Sequence, residues 1–202
     1  MKRLLIATTN QHKLEEIKKI MAEAGLDNWE LVSLNDYPDY EAPEENGETF
    51  AKNAAIKALA ASSMSGLLTL ADDSGLTVDA LDGAPGIHSA RYADKNGHTH
   101  DDAANRAKLL SAMKDVPDNQ RTAAFVCTAA LATPEGEAVF IEGRCPGRIA
   151  HLECGENGFG YDSLFYLPEL AKTMAQLTDE EKNAISHRGR AMSKIAAMLK
   201  KL

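Results

Sequence analysis

The period of apolar and polar positions changes several times along this chain. Leu4-Leu5-Ile6-Ala7 is a short unbroken apolar run and reads as a buried strand. Leu14, Ile17, Met21 and Ala24 then recur at helical spacing and stop at Gly25, a natural helix terminator. A second strand is expected near 30–34, before a loop rich in Pro, Asp and Glu. Thr49 stands where an N-cap belongs, ahead of an apolar stripe of Phe50, Ala54, Ala58 and Ala61. Leu67 to Ala71 gives another buried strand. Asp72-Asp73-Ser74-Gly75 has turn composition, so Leu76-Thr77-Val78 is expected to return as the second arm of a hairpin. Beyond it, 83–97 reads as loop and 101–113 as helix, and 122–133 and 138–150 read as longer strands around a Pro134-Glu135-Gly136 turn. Thr178 and Glu181 have capping-box spacing, and Met192, Ile195, Ala196 and Leu199 form the stripe of a last helix. Strands first alternate with helices and later pair directly. That order predicts an α/β fold with a mixed sheet, 1–202 forming one domain or two closely joined lobes.

Composition narrows the function. A hydrophobic content of 44% with 26% charged residues is ordinary for a globular protein that buries a core. The net charge of −8 argues against a nucleic-acid partner, whose phosphate backbone needs basic surface, yet a small polyanion needs only a local basic pocket. The three cysteines lack CxxC spacing, which points to a reducing compartment rather than to a disulfide or zinc framework. No segment is apolar for long enough to be a signal peptide or a membrane span, so a cytoplasmic protein is expected.

The polar residues that punctuate these elements suggest chemistry. Two acids at the mouth of a strand are costly unless they face water, a cation or hydrogen-bond donors. The first strand runs through Thr8-Thr9-Asn10-Gln11-His12-Lys13 directly into a helix, a junction that aims backbone N–H groups and the helix dipole at one spot and so suits phosphate. It is not a Gly-rich Walker loop, and taken alone Asn10 is equally a simple cap and Lys13 a surface lysine. Glu44-Glu45-Asn46-Gly47 is a second acidic turn. Glu45 and Asp73 together match the one or two carboxylates that Mg²⁺ takes from protein. Gly158-Phe159-Gly160-Tyr161-Asp162 offers an aromatic face between glycines, suited to stacking on a flat base or else to a tight turn in the core. Lys182 and His187-Arg188 lie near a helix start and can close over a polyanion, or simply face solvent.

In this order, these stretches resemble the dITP/XTP pyrophosphatase family, the inosine-triphosphatase-like enzymes. The matching pieces are Thr8 to Lys13, Glu44 to Gly47, Ala71-Asp72-Asp73-Ser74-Gly75-Leu76, Gly83-Ala84-Pro85-Gly86-Ile87-His88-Ser89-Ala90-Arg91-Tyr92, Gly158 to Asp162 and Ser186-His187-Arg188-Gly189. Two departures are visible: Thr9 stands where the family usually has Gly, and Ser163 where it usually has Pro. The resemblance implies an elongated mixed sheet flanked by helices, with two lobes around a central active-site cleft. It also implies a homodimer and Mg²⁺-dependent hydrolysis of dITP, ITP or XTP to the monophosphate and pyrophosphate. Carried over, Thr8, Thr9, Asn10, Gln11, His12 and Lys13 hold the triphosphate, Glu45 and Asp73 the metal, and Asp73 takes the proton of the attacking water. Ser74 and Lys182 also touch substrate, while Phe159, Gly160, Tyr161, Asp162, His187 and Arg188 frame the base. A nucleotide sensor without activity, or a pyrophosphatase for pyrimidine or modified nucleotides, are the competing readings. The division of roles between Asp72 and Asp73 stays open.

Overall fold

The computed structural model describes residues 1–94 and 100–202. Its strands are β1 (Lys2–Ile6), β2 (Trp29–Ser33), β3 (Leu68–Val78), β4 (Thr122–Ala132), β5 (Ala138–Ile149), β6 (Phe165–Leu167) and β7 (Lys172–Thr173). The helices are α1 (Gln11–Glu23), α2 (Phe50–Ser65), α3 (Asp102–Ala112), α4 (Asp179–Ile185) and α5 (His187–Leu199). The strands form one open sheet in the order β2-β1-β3-β4-β5-β6-β7. β1 runs parallel to β2 and β3, whereas β6 is antiparallel to β5 and β7. The mixed α/β sheet expected from the sequence is therefore present, flanked by helices.

The expected helix boundaries hold because their caps are real. Asn10 Oδ1 accepts from Lys13 N, Thr49 Oγ1 from Lys52 N and Asp101 Oδ1 from Ala104 N. At α4 the capping box closes in both directions, Thr178 N donating to Glu181 and Glu181 N to Thr178 Oγ1. Within 83–97, read as loop, Gly86–Arg91 forms a 3-10 turn, and positions 95–97 lie outside the described residues.

One expectation is overturned. Asp72-Asp73-Ser74-Gly75 is not a turn, and Leu76-Thr77-Val78 is not a return strand; Leu68–Val78 is a single continuous strand. Turn composition loses here because the two acids find distant partners in an extended backbone, and because Gly75 has a packing role. A Cβ at Gly75 would collide with the Gly86 carbonyl and the Ser89 hydroxyl. Its hydrogen atom admits a second backbone to the strand.

Contacts divide the chain into two compact units. The first comprises Met1–Asp73, Cys127–Gly143 and His187–Leu202. Its strands bury alternate residues on opposite faces. Leu4, Ile6, Leu70 and Cys127 pack with Leu14, Ile17 and Met21 of α1 and with Met192, Ile195 and Leu199 of α5. Leu5, Ala7, Ala71 and Ala130 pack instead against Ala54, Ala58 and Ala61 of α2. The second unit comprises Ser74–Val126 and Arg144–Ser186. Its core gathers Leu76, Leu109, Met113, Phe125, Tyr161 and Phe165. Buried Arg121 fastens the end of α3 within it, donating to the Met113, Ile149 and Ala150 carbonyls at 2.7, 2.7 and 3.0 Å.

Candidate active site

The alternation that sorts Leu70 from Ala71 also sorts the two acids that follow. Asp72 emerges on the face of α1 and α5. Its Oδ2 accepts from Lys13 Nζ at 3.1 Å and Arg188 Nη2 at 3.4 Å, with Cys127 Sγ at 3.8 Å. Arg188 also binds Glu16 of α1. Burial alone would push the Asp72 carboxyl up, but Lys13, Arg188 and Lys57 together hold it far below the usual carboxylate range. Asp72 is thus a fixed anion that positions two cations. The close fit of α5 depends on Gly143, where a Cβ would collide with the backbone of His187 and Ala191.

Asp73 emerges on the opposite face, toward α2. Asn53 Nδ2 donates to its Oδ2 at 3.2 Å, and Lys57 Nζ lies 3.6 Å from its Oδ1. The same Lys57 ammonium is 2.8 Å from Glu45 Oε2. Asn53 Oδ1 in turn accepts from Gly47 N at 2.8 Å, which fastens the Glu44 to Gly47 loop to α2. Burial pushes the Asp73 carboxyl up and nearby Glu45 adds to this, against the pull of Lys57, Lys13 and Asn53. A carboxylate raised in this way is a better proton acceptor than an ordinary one. Lys57 stays an ammonium, because Asp73, Glu45 and Asp72 outweigh its burial.

The donor set around Lys57 can be tested against a metal. Two carboxylates from distant segments already share one cation, and both offer hard oxygen ligands. Among the described residues, no three His, Cys, Asp or Glu side chains gather at one point. Two protein oxygens fit magnesium, which keeps waters and takes its remaining ligands from phosphate, and they do not fit zinc.

The strand–loop–helix junction is as the sequence predicts. Thr8 Oγ1 accepts from Asn10 N at 3.2 Å, Asn10 caps α1, and Lys13 reaches from its first turn to Asp72. Thr9, Gln11 and His12 are exposed. Ser74 follows Asp73 in β3 and is partly exposed.

In the second unit, Asp162 organises the glycine-rich turn from inside. Its Oδ2 accepts from Phe159 N at 3.0 Å and from Lys182 Nζ at 2.8 Å. The Lys182 ammonium also lies 4.7 Å from the Phe159 ring centroid. Gly158 and Gly160 take φ of +75° and +60°, and a Cβ at Gly158 would strike the Asp162 carboxylate. Tyr161 is buried, and its hydroxyl donates to the Ser89 carbonyl at 2.8 Å.

The sequence reading overlooked Glu16, Asn53 and Lys57. Asn53 and Lys57 sit four apart beside the alanine stripe of α2, and two polar residues at that spacing next to an apolar face were the available signal.

The chain as a whole has known relatives. The Ham1 family model matches residues 4–198. The chain belongs to the Ham1 family. Among curated relatives, the dITP/XTP pyrophosphatase of Mycobacteroides abscessus is 48% identical over 200 residues, covering 99% of this chain and 96% of its own length. That of Geobacter sulfurreducens is 51% identical over 193 residues, covering 96% and 94%. Among solved structures, the HAM1 protein of Coxiella burnetii superposes with a TM-score of 0.89 at 40% identity, covering all of both chains. The Ham1 protein of Staphylococcus aureus gives 0.86 at 41%, covering 99% of each.

Proposed function

We propose that this chain is a nucleoside-triphosphate pyrophosphatase acting on dITP, ITP and XTP; its curated relatives are named dITP/XTP pyrophosphatases. The observation that carries the mechanism is the meeting of Glu45 and Asp73, distant in sequence, at a single ammonium. In this reading the capped N-terminus of α1, with Thr8 to Lys13, holds the triphosphate through N–H groups, the helix dipole and the Lys13 charge. Glu45 and Asp73 hold Mg²⁺, which supplies charge neutralisation on the phosphate oxygens. Asp73 accepts the proton of the attacking water; the water oxygen bonds to phosphorus, the α–β anhydride bond breaks, and pyrophosphate leaves.

Ser74 and Lys182 contact substrate, and Phe159 to Asp162 receive the base, Phe159 by stacking. His187 completes this set. Arg188 contributes indirectly, since its guanidinium is held by Asp72 and Glu16. The enzyme works as a homodimer in the cytoplasm, without nucleic acid. Three free thiols favour a reducing compartment, and among the described residues no helix is long and apolar enough to cross a membrane.

Pyrophosphate release is measured from dITP, XTP, ATP and a pyrimidine triphosphate, with Mg²⁺ and with EDTA. Metal-dependent release from dITP and XTP is expected, with ATP slower by about 10²-fold or more. Equal cleavage of ATP refutes the selectivity, and activity undiminished by EDTA refutes the metal assignment. Tight ITP binding without release leaves a nucleotide-binding protein.

A further inference from the structure

Resting on the reading that Phe159 to Asp162 receive the base, we infer that Asp102 and Arg106 of α3 are positioning residues for that turn. Their side chains grip both polar groups of one glycine. Gly160 N donates to Asp102 Oδ2 at 2.9 Å, and Arg106 Nη1 donates to the Gly160 carbonyl at 3.0 Å. The two residues are four apart, so they share one face of α3, whose far end Arg121 fastens at Met113.

Gly160 needs such a hold. Glycine has the widest conformational freedom of any residue, and with φ near +60° nothing in its own side chain fixes the peptide that follows Phe159. Asp162 fixes the turn from one side through Phe159 N, and α3 fixes it from the other through Gly160.

A second layer supports the first. Arg106 Nε donates to Glu153 Oε2 at 2.8 Å, and Ser163 Oγ donates to the same oxygen at 2.9 Å. The Ser163 hydroxyl thus enters a chain running Ser163–Glu153–Arg106–Gly160, which ties the residue after Asp162 to α3. On the other Asp102 oxygen, His100 Nε2 lies at 3.0 Å.

A positioning role predicts weaker capture of the base with the chemical step spared. Steady-state kinetics on dITP with Mg²⁺ for the wild type, Asp102→Ala, Asp102→Asn, Arg106→Ala and Phe159→Ala provide the test. Asp102→Ala and Arg106→Ala are each expected to raise KM about tenfold, with kcat within about threefold, as the loss of one charge-assisted bond allows. Asp102→Asn, which keeps an acceptor oxygen, recovers most of the loss. Unchanged KM in both alanine variants overturns the inference. So does a loss of kcat that tracks a lowered melting temperature and is not rescued by asparagine, which marks a merely structural role. An inactive wild type refutes the proposed activity itself, and an unchanged KM in Phe159→Ala refutes the base assignment on which the inference rests.

Discussion

Replacing either of two adjacent aspartates by asparagine should produce opposite phenotypes. Asp72 is fully buried between Lys13 and Arg188, whose side chains are 15% and 2% exposed. Asparagine there removes the anion that Lys13 and Arg188 share, and breaking a buried pair from one side costs about 3 kcal/mol or more. In a chain of this length that lowers the melting temperature by about 6–12 °C. Asp73 is the reverse case. Its carboxyl is raised in the folded state, so ionisation there opposes folding above the ordinary carboxylate range. Asparagine removes that cost and keeps an oxygen for Asn53, so Asp73→Asn should melt within about 1 kcal/mol of wild type while losing about 10²–10⁴-fold in kcat. Calorimetry and pyrophosphate release on the two purified variants settle this. The pH dependence sharpens it: the depressed Asp72 carboxyl stabilises the fold above about pH 4, and this contribution disappears as pH falls through its folded value. The gap in melting temperature between wild type and Asp72→Asn should therefore close on acidification. An Asp72→Asn protein as stable as wild type, or an Asp73→Asn protein that unfolds early or turns over normally, would refute the division of roles.

Two further predictions concern residues that hold the acids and the turn. Asn53→Asp replaces the amide donor on Asp73 by a second negative charge, so the acidic limb of kcat/KM should move to higher pH, which a pH–rate profile with dITP reads directly. Gly158→Ala forces a side chain into a backbone of φ +75° and against the Asp162 carboxylate; a KM for dITP raised about tenfold or more is expected, with the circular dichroism spectrum retained.

Much of the fold was written in local signals. Asn10, Thr49 and Thr178 mark helix starts with side chains that do cap them, and the apolar stripes of α1 and α5 are the ones that fill the core. Strand β3 departs from the expected turn because Asp-Asp-Ser-Gly is favourable turn chemistry only when neighbours in sequence alone are considered. The partners that make it a strand come from far along the chain: Lys13 and Arg188 for Asp72, Asn53 and Lys57 for Asp73, and Ser89 at Gly75. Long-range compensation of this kind has no local signature. Glu16 has none either, looking like one more charge on a helix until the Arg188 guanidinium arrives opposite.

The strand also explains why two acids stand together. In a turn, Asp72 and Asp73 would face the same water and differ little. In a strand, consecutive side chains point to opposite faces, so a single residue step separates a structural anion from a reactive one. Which acid goes where is not set by the acids. Leu70 is buried with α1 and α5, and Ala71 fits against the alanines of α2; a one-residue slip would drive leucine into the alanine-lined face and the aspartates away from their cations. The hydrophobic register of β3 therefore fixes the chemistry. A substitution that enlarges Ala71 should disturb Asp73 and α2 before it disturbs Asp72, even though the two aspartates are neighbours in the chain.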